Sequence, residues 1–310
     1  MNAVRIPRFG DSSVLTLEQV PEREPGPGEV MVAVRTAGIN PGEIPIREGR
    51  FGGEPPFGQP PFGQGSDFAG EIVAVGPGVT RWSIGDDVIG MSDERSAQAD
   101  YVTIAADRVV PKPPGLDWDV AGSLYVVGTT AVAAVDAIDP KPGETVVVAG
   151  AAGGVGVLAA QLARRAGAHV IGTASGENHD ALRELGIEPV AYDDGVQGRI
   201  RLAAPDGVDA FIDTHGSGNV ALALDLGVEP GRIETIIDFD AASRGVRTVG
   251  MSSVADPAAA VTLVANLLAS GELTLPIKAR YPIDDVATAY DRLADRHGLG
   301  KIVLRVGAGV

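Results

Sequence analysis

The stretch that most constrains the fold of this chain covers residues 145–167. Residues 145–149 are mostly β-branched, which is typical of a strand that is buried on both faces. Gly150, Gly153 and Gly156 follow at three-residue spacing. An apolar helical pattern then continues to a glycine stop. The sequence therefore predicts a strand, a glycine-rich turn and a helix in direct succession.

This strand, turn and helix predict a dinucleotide-binding unit. Glycines allow a tight turn and let the backbone approach a pyrophosphate, whose charge would lie on free N–H groups at the helix N-terminus. The alternative is a glycine turn that only packs the helix on the sheet. The backbone expected to bind the cofactor comprises Gly150, Ala152, Gly153, Gly154, Val155 and Gly156.

Composition excludes several classes of partner. A chain of 310 residues with 45% hydrophobic residues can bury a sizeable core and is expected to form two domains. No apolar run is long enough to span a bilayer, and the N-terminus reads as a strand rather than a signal peptide. The absence of cysteine fits a cytoplasmic enzyme. A net charge of −16 opposes binding to nucleic acid or an anionic membrane, and its simplest interpretation is solubility.

The first third of the chain is β-rich. Turns containing proline and glycine separate short strands, which favours a small barrel-like domain. The predicted strands are 3–6, 15–20, 29–36, 68–75, 87–90 and 100–104.

Residues 51–65 form a predicted loop within this β-rich part. The loop contains the sequence Pro-Pro-Phe-Gly-Gln twice in tandem, at 55–59 and 60–64. Proline pairs oppose a helix, and the repeat is too short to be a solenoid unit. It is either a local duplication without a role or a flap that places Phe57 or Phe62 over the site.

The second part alternates between helix and strand, which indicates a doubly wound parallel sheet with its ligand at the carboxyl ends of the strands. Strand 246–251 leaves an unpaired edge that predicts a homodimer, unless the helix at 257–269 covers it. A strand–helix–strand tail ends the chain. The other predicted helices are 117–135, 178–185 and 220–226, and the other predicted strands are 145–149, 169–173, 189–192, 208–212 and 232–237.

A series of segments in fixed order carries a family resemblance. They are residues 37–41 (Ala-Gly-Ile-Asn-Pro), 65–70, 128–131, 150–156, 208–213 and 300–306. With them the chain resembles the medium-chain dehydrogenase/reductase superfamily, specifically its zinc-independent, zeta-crystallin-like quinone oxidoreductase branch. The resemblance implies a GroES-like catalytic domain of residues 1–120, completed by 270–310, and a Rossmann domain of residues 121–269 that binds NADPH.

The same resemblance predicts that zinc is absent. Zinc alcohol dehydrogenases have Cys where this chain has Asn40, and Gly-His-Glu where it has residues 65–67. A catalytic zinc needs about three N, S or O protein ligands around one open position. The histidines fall in separate elements, so we expect each to be a surface or supporting residue: His169, His179, His215 and His297.

Without a Lewis acid, hydride addition to a conjugated enone or quinone is easier than reduction of a plain ketone, because the charge spreads into an enolate or hydroquinone. Hydrogen-bond donors then stabilise that charge, and the nicotinamide supplies the hydride. By resemblance, Asn40 lies beside the nicotinamide and is the first choice for this donor. Thr130 is expected at the nicotinamide ribose, and Lys301 is also assigned to the cofactor. Tyr125, where relatives usually have proline, is a proton donor, an aromatic wall or a packing residue.

Two further positions limit what the resemblance can carry over. Pro45 stands where some family members have a pocket tyrosine, so substrate preference cannot be transferred. Asn40 and Glu43 also have a simpler interpretation, as a loop turn and a solvent-exposed carboxylate.

The end of the second Rossmann strand predicts a preference for NADPH over NADH. NAD sites place an acidic side chain roughly 20 residues past the glycines, and Ala174 occupies that position. Ser175, Asn178 and His179 could donate to a 2′-phosphate, whereas Glu177 would repel it if its side chain pointed inward.

The sequence therefore predicts NADPH-dependent, zinc-independent reduction of a small quinone or α,β-unsaturated carbonyl. The alternatives are an enoyl-thioester reductase and a non-catalytic NADPH-binding protein. The physiological substrate and the proton donor stay open.

Overall fold

The computed structural model describes residues 1–52, 58–295 and 297–307. The expected β-rich unit is present in the first part of the chain. Its elements are β1 (Asn2–Ile6), β2 (Thr16–Gln19), β3 (Glu29–Gly38), α1 (Glu43–Arg47), β4 (Phe62–Gly63), β5 (Asp67–Val75), β6 (Asp87–Met91), β7 (Tyr101–Ala105) and β8 (Val109–Pro111).

The second part alternates as predicted and ends in the strand–helix–strand tail. Its elements are α2 (Trp118–Ala121), α3 (Tyr125–Ile138), β9 (Thr145–Ala149), α4 (Gly154–Arg165), β10 (His169–Ala174), α5 (His179–Glu184), β11 (Glu188–Ala191), α6 (Val196–Ala203), β12 (Ala210–Asp213), α7 (Asn219–Asp225), β13 (Ile233–Thr235), β14 (Arg247–Thr248), α8 (Pro257–Ala269), β15 (Ile277–Pro282), α9 (Val286–Ala294) and β16 (Lys301–Arg305).

The tail joins the sheet of the first part. One sheet has the order β15-β16-β3-β5-β6-β8, with β7 also pairing β3, and a smaller sheet has the order β2-β1-β4. The end of β16 runs antiparallel to β3, with Val303 opposite Gly38. The exact limits 120/121 and 269/270 of the two domains remain a prediction.

The Rossmann-type sheet has the order β11-β10-β9-β12-β13-β14, and its strands are parallel. Val146 and Val148 of the central strand pack on the cluster that includes α3 and α4. Val147 packs on the opposite face against Phe211 and Ile171. This burial of both faces explains the continuous apolar strand that the sequence shows.

Three sequence expectations need correction. The helix expected over 117–135 is two helices, because a Cβ at Gly122 would lie 2.4 Å from the carbonyl oxygen of Thr36 and the backbone there is pressed against β3. The strand expected over 246–251 contracts to β14 and is followed by a 3-10 turn at Met251–Ser253. Helix α6 was not predicted, since Ile200 is its one buried residue and no apolar stripe marks it.

The tandem repeat is only partly described. Phe57 lies outside the described residues. Phe62 lies in β4, which pairs with β1, and its ring is 6.2 Å from that of Phe9.

Among the residues that the structure describes, no helix is long and apolar enough to cross a membrane.

Glu234 is an unusual buried acid in β13. It is fully buried, and neither carboxyl oxygen has a hydrogen-bond partner of normal geometry among the described residues. Burial raises its pKa to about 9, the charge of Asp213 adds to the rise, and the backbone N–H of Val249 partly offsets it. The carboxyl group is therefore protonated in the folded protein at neutral pH.

This burial predicts a pH-dependent stability. The folded pKa of about 9 exceeds the ordinary value of 4.5, so the folded chain holds one more proton between these limits and stability falls as pH rises. Glu234→Gln should remove a slope of at most about 1.4 kcal/mol per pH unit. Urea unfolding at several pH values from 5.5 to 8.5 measures it. The exposed Glu229→Gln is the control, and parallel curves for wild type and Glu234→Gln would contradict the assignment.

Candidate active site

The glycine-rich loop after β9 forms an anion-binding helix start. Gly150 has a φ of +75°, a conformation that favours glycine. Gly153 precedes α4 and supplies no side-chain cap, so the first N–H groups of the helix have no partner within it. A Cβ at Gly156 would lie 2.2 Å from the carbonyl oxygen of Gly150. The loop thus has the backbone approach and the positive helix end that fit a dinucleotide pyrophosphate.

Buried side chains fix the neighbouring loops at the carboxyl ends of the parallel strands. Asp213 accepts hydrogen bonds from the backbone N–H groups of His215 and Gly216 and from the Thr235 hydroxyl, at 2.8–3.0 Å. The Thr214 hydroxyl donates to the carbonyl oxygen of Ala149 at 2.8 Å. These contacts hold the rim of the cofactor cleft, where a doubly wound sheet binds its ligand.

The residues expected at a 2′-phosphate cluster at the end of β10. The amide of Asn178 donates to the Ser175 hydroxyl at 2.8 Å, and Nε2 of His179 lies 3.2 Å from the carbonyl oxygen of Ala174. Asn178 is buried, whereas Glu177 is exposed with an oxygen 4.0 Å from Nδ1 of His297. Ser175 and His179 are both partly exposed, and the Ser175 hydroxyl donates to the Glu177 carboxylate at 3.3 Å.

Asn40 occupies a buried polar junction after β3. Its Oδ1 accepts from Nζ of Lys301 at 2.6 Å, and its Nδ2 donates to Asp67 at 3.0 Å. Lys301 also donates to the carbonyl oxygen of Ile39 at 2.8 Å. The second oxygen of Asp67 accepts from the backbone N–H of Val126 at 2.8 Å. The hydrogen bonds of Asn40 and of its two partners thus connect the end of β3 to β5, α3 and β16.

Glu43 supports the Asn40 loop from beneath. Its carboxylate accepts from the backbone N–H groups of Asn40 and Ser66, at 3.0 and 3.1 Å, and from the hydroxyl of Tyr290. That hydroxyl accepts from the amides of Gln64 and Gln98, at 2.6 and 2.8 Å. The alternative of a solvent-exposed Glu43 is wrong, because the residue is 3% exposed.

Burial controls the ionisation of this junction. It raises the pKa of Asp67 and of Glu43, and the Lys301 charge partly offsets the rise at Asp67. Burial lowers the pKa of Lys301, against the charges of Asp67 and Glu43. The ammonium lies 3.9 Å from the Asp67 carboxylate. Each charge is therefore compensated by an opposite charge or by hydrogen bonds, as a buried charge requires.

The tail connects this junction to the glycine loop. The backbone N–H of Gly300 donates to the carbonyl oxygen of Ala152 at 2.8 Å. A Cβ at Gly154 would lie 2.7 Å from Cδ of Lys301, so the lysine stem lies against the start of α4. The Lys301 ammonium itself points to Ile39 and Asn40. The structure thus brings Asn40, Lys301 and the glycine loop together.

Two other predicted residues lie in α3. The Thr130 hydroxyl donates to the carbonyl oxygen of Val126 at 2.6 Å. Tyr125 is 3% exposed and belongs to the apolar cluster beneath α3, and burial raises the pKa of its phenol. Its surroundings favour the packing interpretation, and its part in proton transfer stays a prediction.

Sequence reasoning missed the roles of Asp67, Tyr290 and Gln98. An acidic residue at the head of an otherwise apolar strand could have signalled Asp67. No local pattern marks Tyr290, which is 247 residues from Glu43.

The histidines do not come together in one site. Among the described ranges, no group of three His, Cys, Asp or Glu side chains could hold a metal ion.

Comparisons with known families agree with this architecture. Residues 26–114 match the alcohol dehydrogenase GroES-like domain, and residues 185–304 match a family described as zinc-binding dehydrogenase. The quinone oxidoreductase of Rattus norvegicus is 29% identical over 98% of this chain and 97% of its own length. A phthioceranic/hydroxyphthioceranic acid synthase of Mycobacterium tuberculosis is 30% identical over 96% of this chain. The chain spans only 15% of that synthase.

Solved structures show the same fold. The quinone oxidoreductase from Coxiella burnetii has a TM-score of 0.88 and 28% identity, with 99% of both chains covered. The Escherichia coli quinone oxidoreductase complexed with NADPH has a TM-score of 0.88 at 22% identity, covering 98% of this chain and all of that one. The CurK enoyl reductase has a TM-score of 0.87 at 23% identity, with 99% of both chains covered. At these last two identities the likeness concerns the fold alone.

The GroES-like unit and the Rossmann-type unit with its glycine loop are the architecture of an oxidoreductase family. The chain belongs to the medium-chain dehydrogenase/reductase superfamily and is similar to its quinone oxidoreductases.

Proposed function

We propose that this protein is an NADPH-dependent, zinc-independent reductase of quinones or α,β-unsaturated carbonyls. The observation that carries the proposal is the Asn40 carboxamide, held between Lys301 and Asp67 beside the glycine loop. By resemblance to the family, the Asn40 amide occupies the position at which zinc alcohol dehydrogenases have a cysteine ligand. An oriented amide suits a substrate whose developing charge is already delocalised.

Different residues of the chain would bind the cofactor and stabilise the charge that develops on the substrate. The N–H groups at the start of α4 would hold the pyrophosphate of the cofactor. The bound nicotinamide supplies the hydride. The Nδ2 group of Asn40 would donate to the substrate oxygen as it gains negative charge. Either Tyr125 or a water molecule would deliver the proton to the reduced substrate, and burial, which raises the pKa of the Tyr125 phenol, favours water.

A reductase of enoyl thioesters is the second candidate. The fold likeness to the CurK enoyl reductase and the match within the mycobacterial synthase favour it. The chemistry at Asn40 would be the same, because a thioester enolate also places charge on oxygen. The substrate that accepts the hydride therefore distinguishes the two candidate functions.

Steady NADPH oxidation with a quinone, a short enal or a cyclic enone is the expected result of an acceptor screen. The same screen includes enoyl thioesters, and turnover with these alone would support the second candidate. Chelators should leave the rate unchanged, since Asn40 replaces the zinc ligand. Binding of NADPH without turnover of any acceptor, or activity lost on chelation and restored by zinc, would contradict the proposal.

NADPH should bind about tenfold or more tightly than NADH, the range for a hydrogen bond to a charged group. Ala174 leaves no carboxylate for the ribose 2′-hydroxyl, and Ser175 can donate to a 2′-phosphate. Fluorescence titration gives both dissociation constants. Ser175→Asp should reduce the preference by placing a carboxylate beside the phosphate, whereas the exposed Ser270→Asp is a distant control. Tighter binding of NADH by the wild type would refute the preference.

We also propose a homodimer through the β14 edge of the Rossmann sheet. Strand β14 at this edge is short. Beside it, two apolar residues are exposed to solvent, Ile237 by 44% and Phe239 by 68%. Light scattering at micromolar concentration should give twice the chain mass of 31.7 kDa. Phe239→Ser should weaken the dimer, whereas Leu202→Ser, in α6 next to the opposite edge strand β11, should not. A strictly monomeric wild type would disprove it.

A further inference from the structure

The Asn40 carboxamide is held at both ends by groups of opposite charge. The Lys301 ammonium donates to Oδ1 at 2.6 Å, and the Asp67 carboxylate accepts from Nδ2 at 3.0 Å. A carboxamide turned by 180° would direct its NH2 group at the ammonium and its oxygen at the carboxylate. Both contacts would then be repulsive, because an ammonium has no acceptor and a carboxylate has no donor. The two charges therefore permit one orientation of the amide.

Each of these two partners is itself fixed. Lys301 also donates to the carbonyl oxygen of Ile39 at 2.8 Å, and the other oxygen of Asp67 accepts from the Val126 N–H at 2.8 Å. Exposed fractions are 4% for Lys301 and zero for Asp67, so water does not compete for them. The lysine stem also lies against Gly154 at the start of α4. The amide is thus held by a support that reaches the cofactor loop.

One hydrogen of the Asn40 NH2 group is left over. An asparagine amide has two N–H donors, and Asp67 takes one of them. The second has no hydrogen-bond partner in the part of the chain that the structure describes. A donor that is free in the resting protein and fixed in direction is what stabilisation of a developing oxyanion requires.

We propose that Lys301 and Asp67 are positioning residues that lock the Asn40 carboxamide with its free N–H toward the substrate oxygen. This inference rests on the proposed reductase function. It gives the Lys301 ammonium a role toward Asn40, where the family resemblance had assigned the residue to the cofactor. It also gives Asp67 a role that is separate from general stability, because a buried ion pair by itself contributes little to stability.

A double-mutant cycle tests the coupling. Lys301→Met should lower kcat about tenfold, the lower range for loss of an oriented donor, with little change in KM. The same substitution in an Asn40→Ala background should cause no further loss, since residues that act as a unit are not additive. Lys301→Arg, which retains the charge, should recover part of the rate. Lys278→Met in the neighbouring strand β15 is the matched control and should leave kcat unchanged.

Isotope-edited NMR tests the orientation without turnover. The chain contains five asparagines, so a 15N-asparagine sample gives few side-chain amide signals, and Asn40→Ala assigns the one of interest. In the wild type, one Asn40 Nδ2 proton should be shifted downfield and protected from solvent exchange. Asp67→Asn, which keeps the shape, and Lys301→Met should both remove this shift and protection. The two variants are independent, so one suffices if the other fails to fold.

The outcomes separate this inference from the proposed function. If no acceptor is reduced but the amide signal responds to both variants, the reductase proposal fails and the locked orientation stands. An Asn40 amide signal that both variants leave unchanged would overturn the positioning role. So would a loss of kcat by Lys301→Met that is equally large in the Asn40→Ala background.

Discussion

The architecture depends on burying an ammonium and two carboxylates at one junction. Lys301, Asp67 and Glu43 are each at most 4% exposed, and each comes from a different part of the chain. Charges removed from water need opposite charges or hydrogen bonds, so the loop that carries Asn40 can adopt only a conformation that satisfies all three. Because Lys301 belongs to the tail and Asp67 to β5, this junction also connects the tail to the sheet of the first domain. The position and the orientation of the amide follow from this electrostatic condition.

The cofactor loop and the amide junction are two ends of one connected element. The tail contacts the glycine loop through Gly300 and Ala152, and the next residue, Lys301, reaches Asn40. A rigid connection of this kind suits hydride transfer, in which the reacting atoms must be held close and aligned. It also explains the glycine at position 154, where a Cβ would displace the lysine stem. Gly156, which lies against the backbone of Gly150, and Gly154, which lies against the Lys301 stem, therefore meet in a single loop.

Local signals predicted the strands, the glycine turn and the alternating second domain, because periodicity and turn residues act over a few positions. They did not reveal the junction, since Asn40 and Lys301 are 261 residues apart. Glu43 could be read as exposed because burial is a tertiary property. The break in the 117–135 helix depends on the close contact between Gly122 and Thr36, which are distant in sequence. The assignment of Asn40 to the site rests on the family resemblance, since no local pattern indicates it, and it stays a prediction.

In the proposed reaction, an oriented amide without a metal stabilises charge on a conjugated acceptor. Stopped-flow single turnover tests it most directly, with enzyme saturated by NADPH and mixed with the best acceptor, in wild type and Asn40→Ala. Hydride transfer should slow about tenfold or more in Asn40→Ala, while the dissociation constant for NADPH should change little. An unchanged single-turnover rate in Asn40→Ala would contradict it.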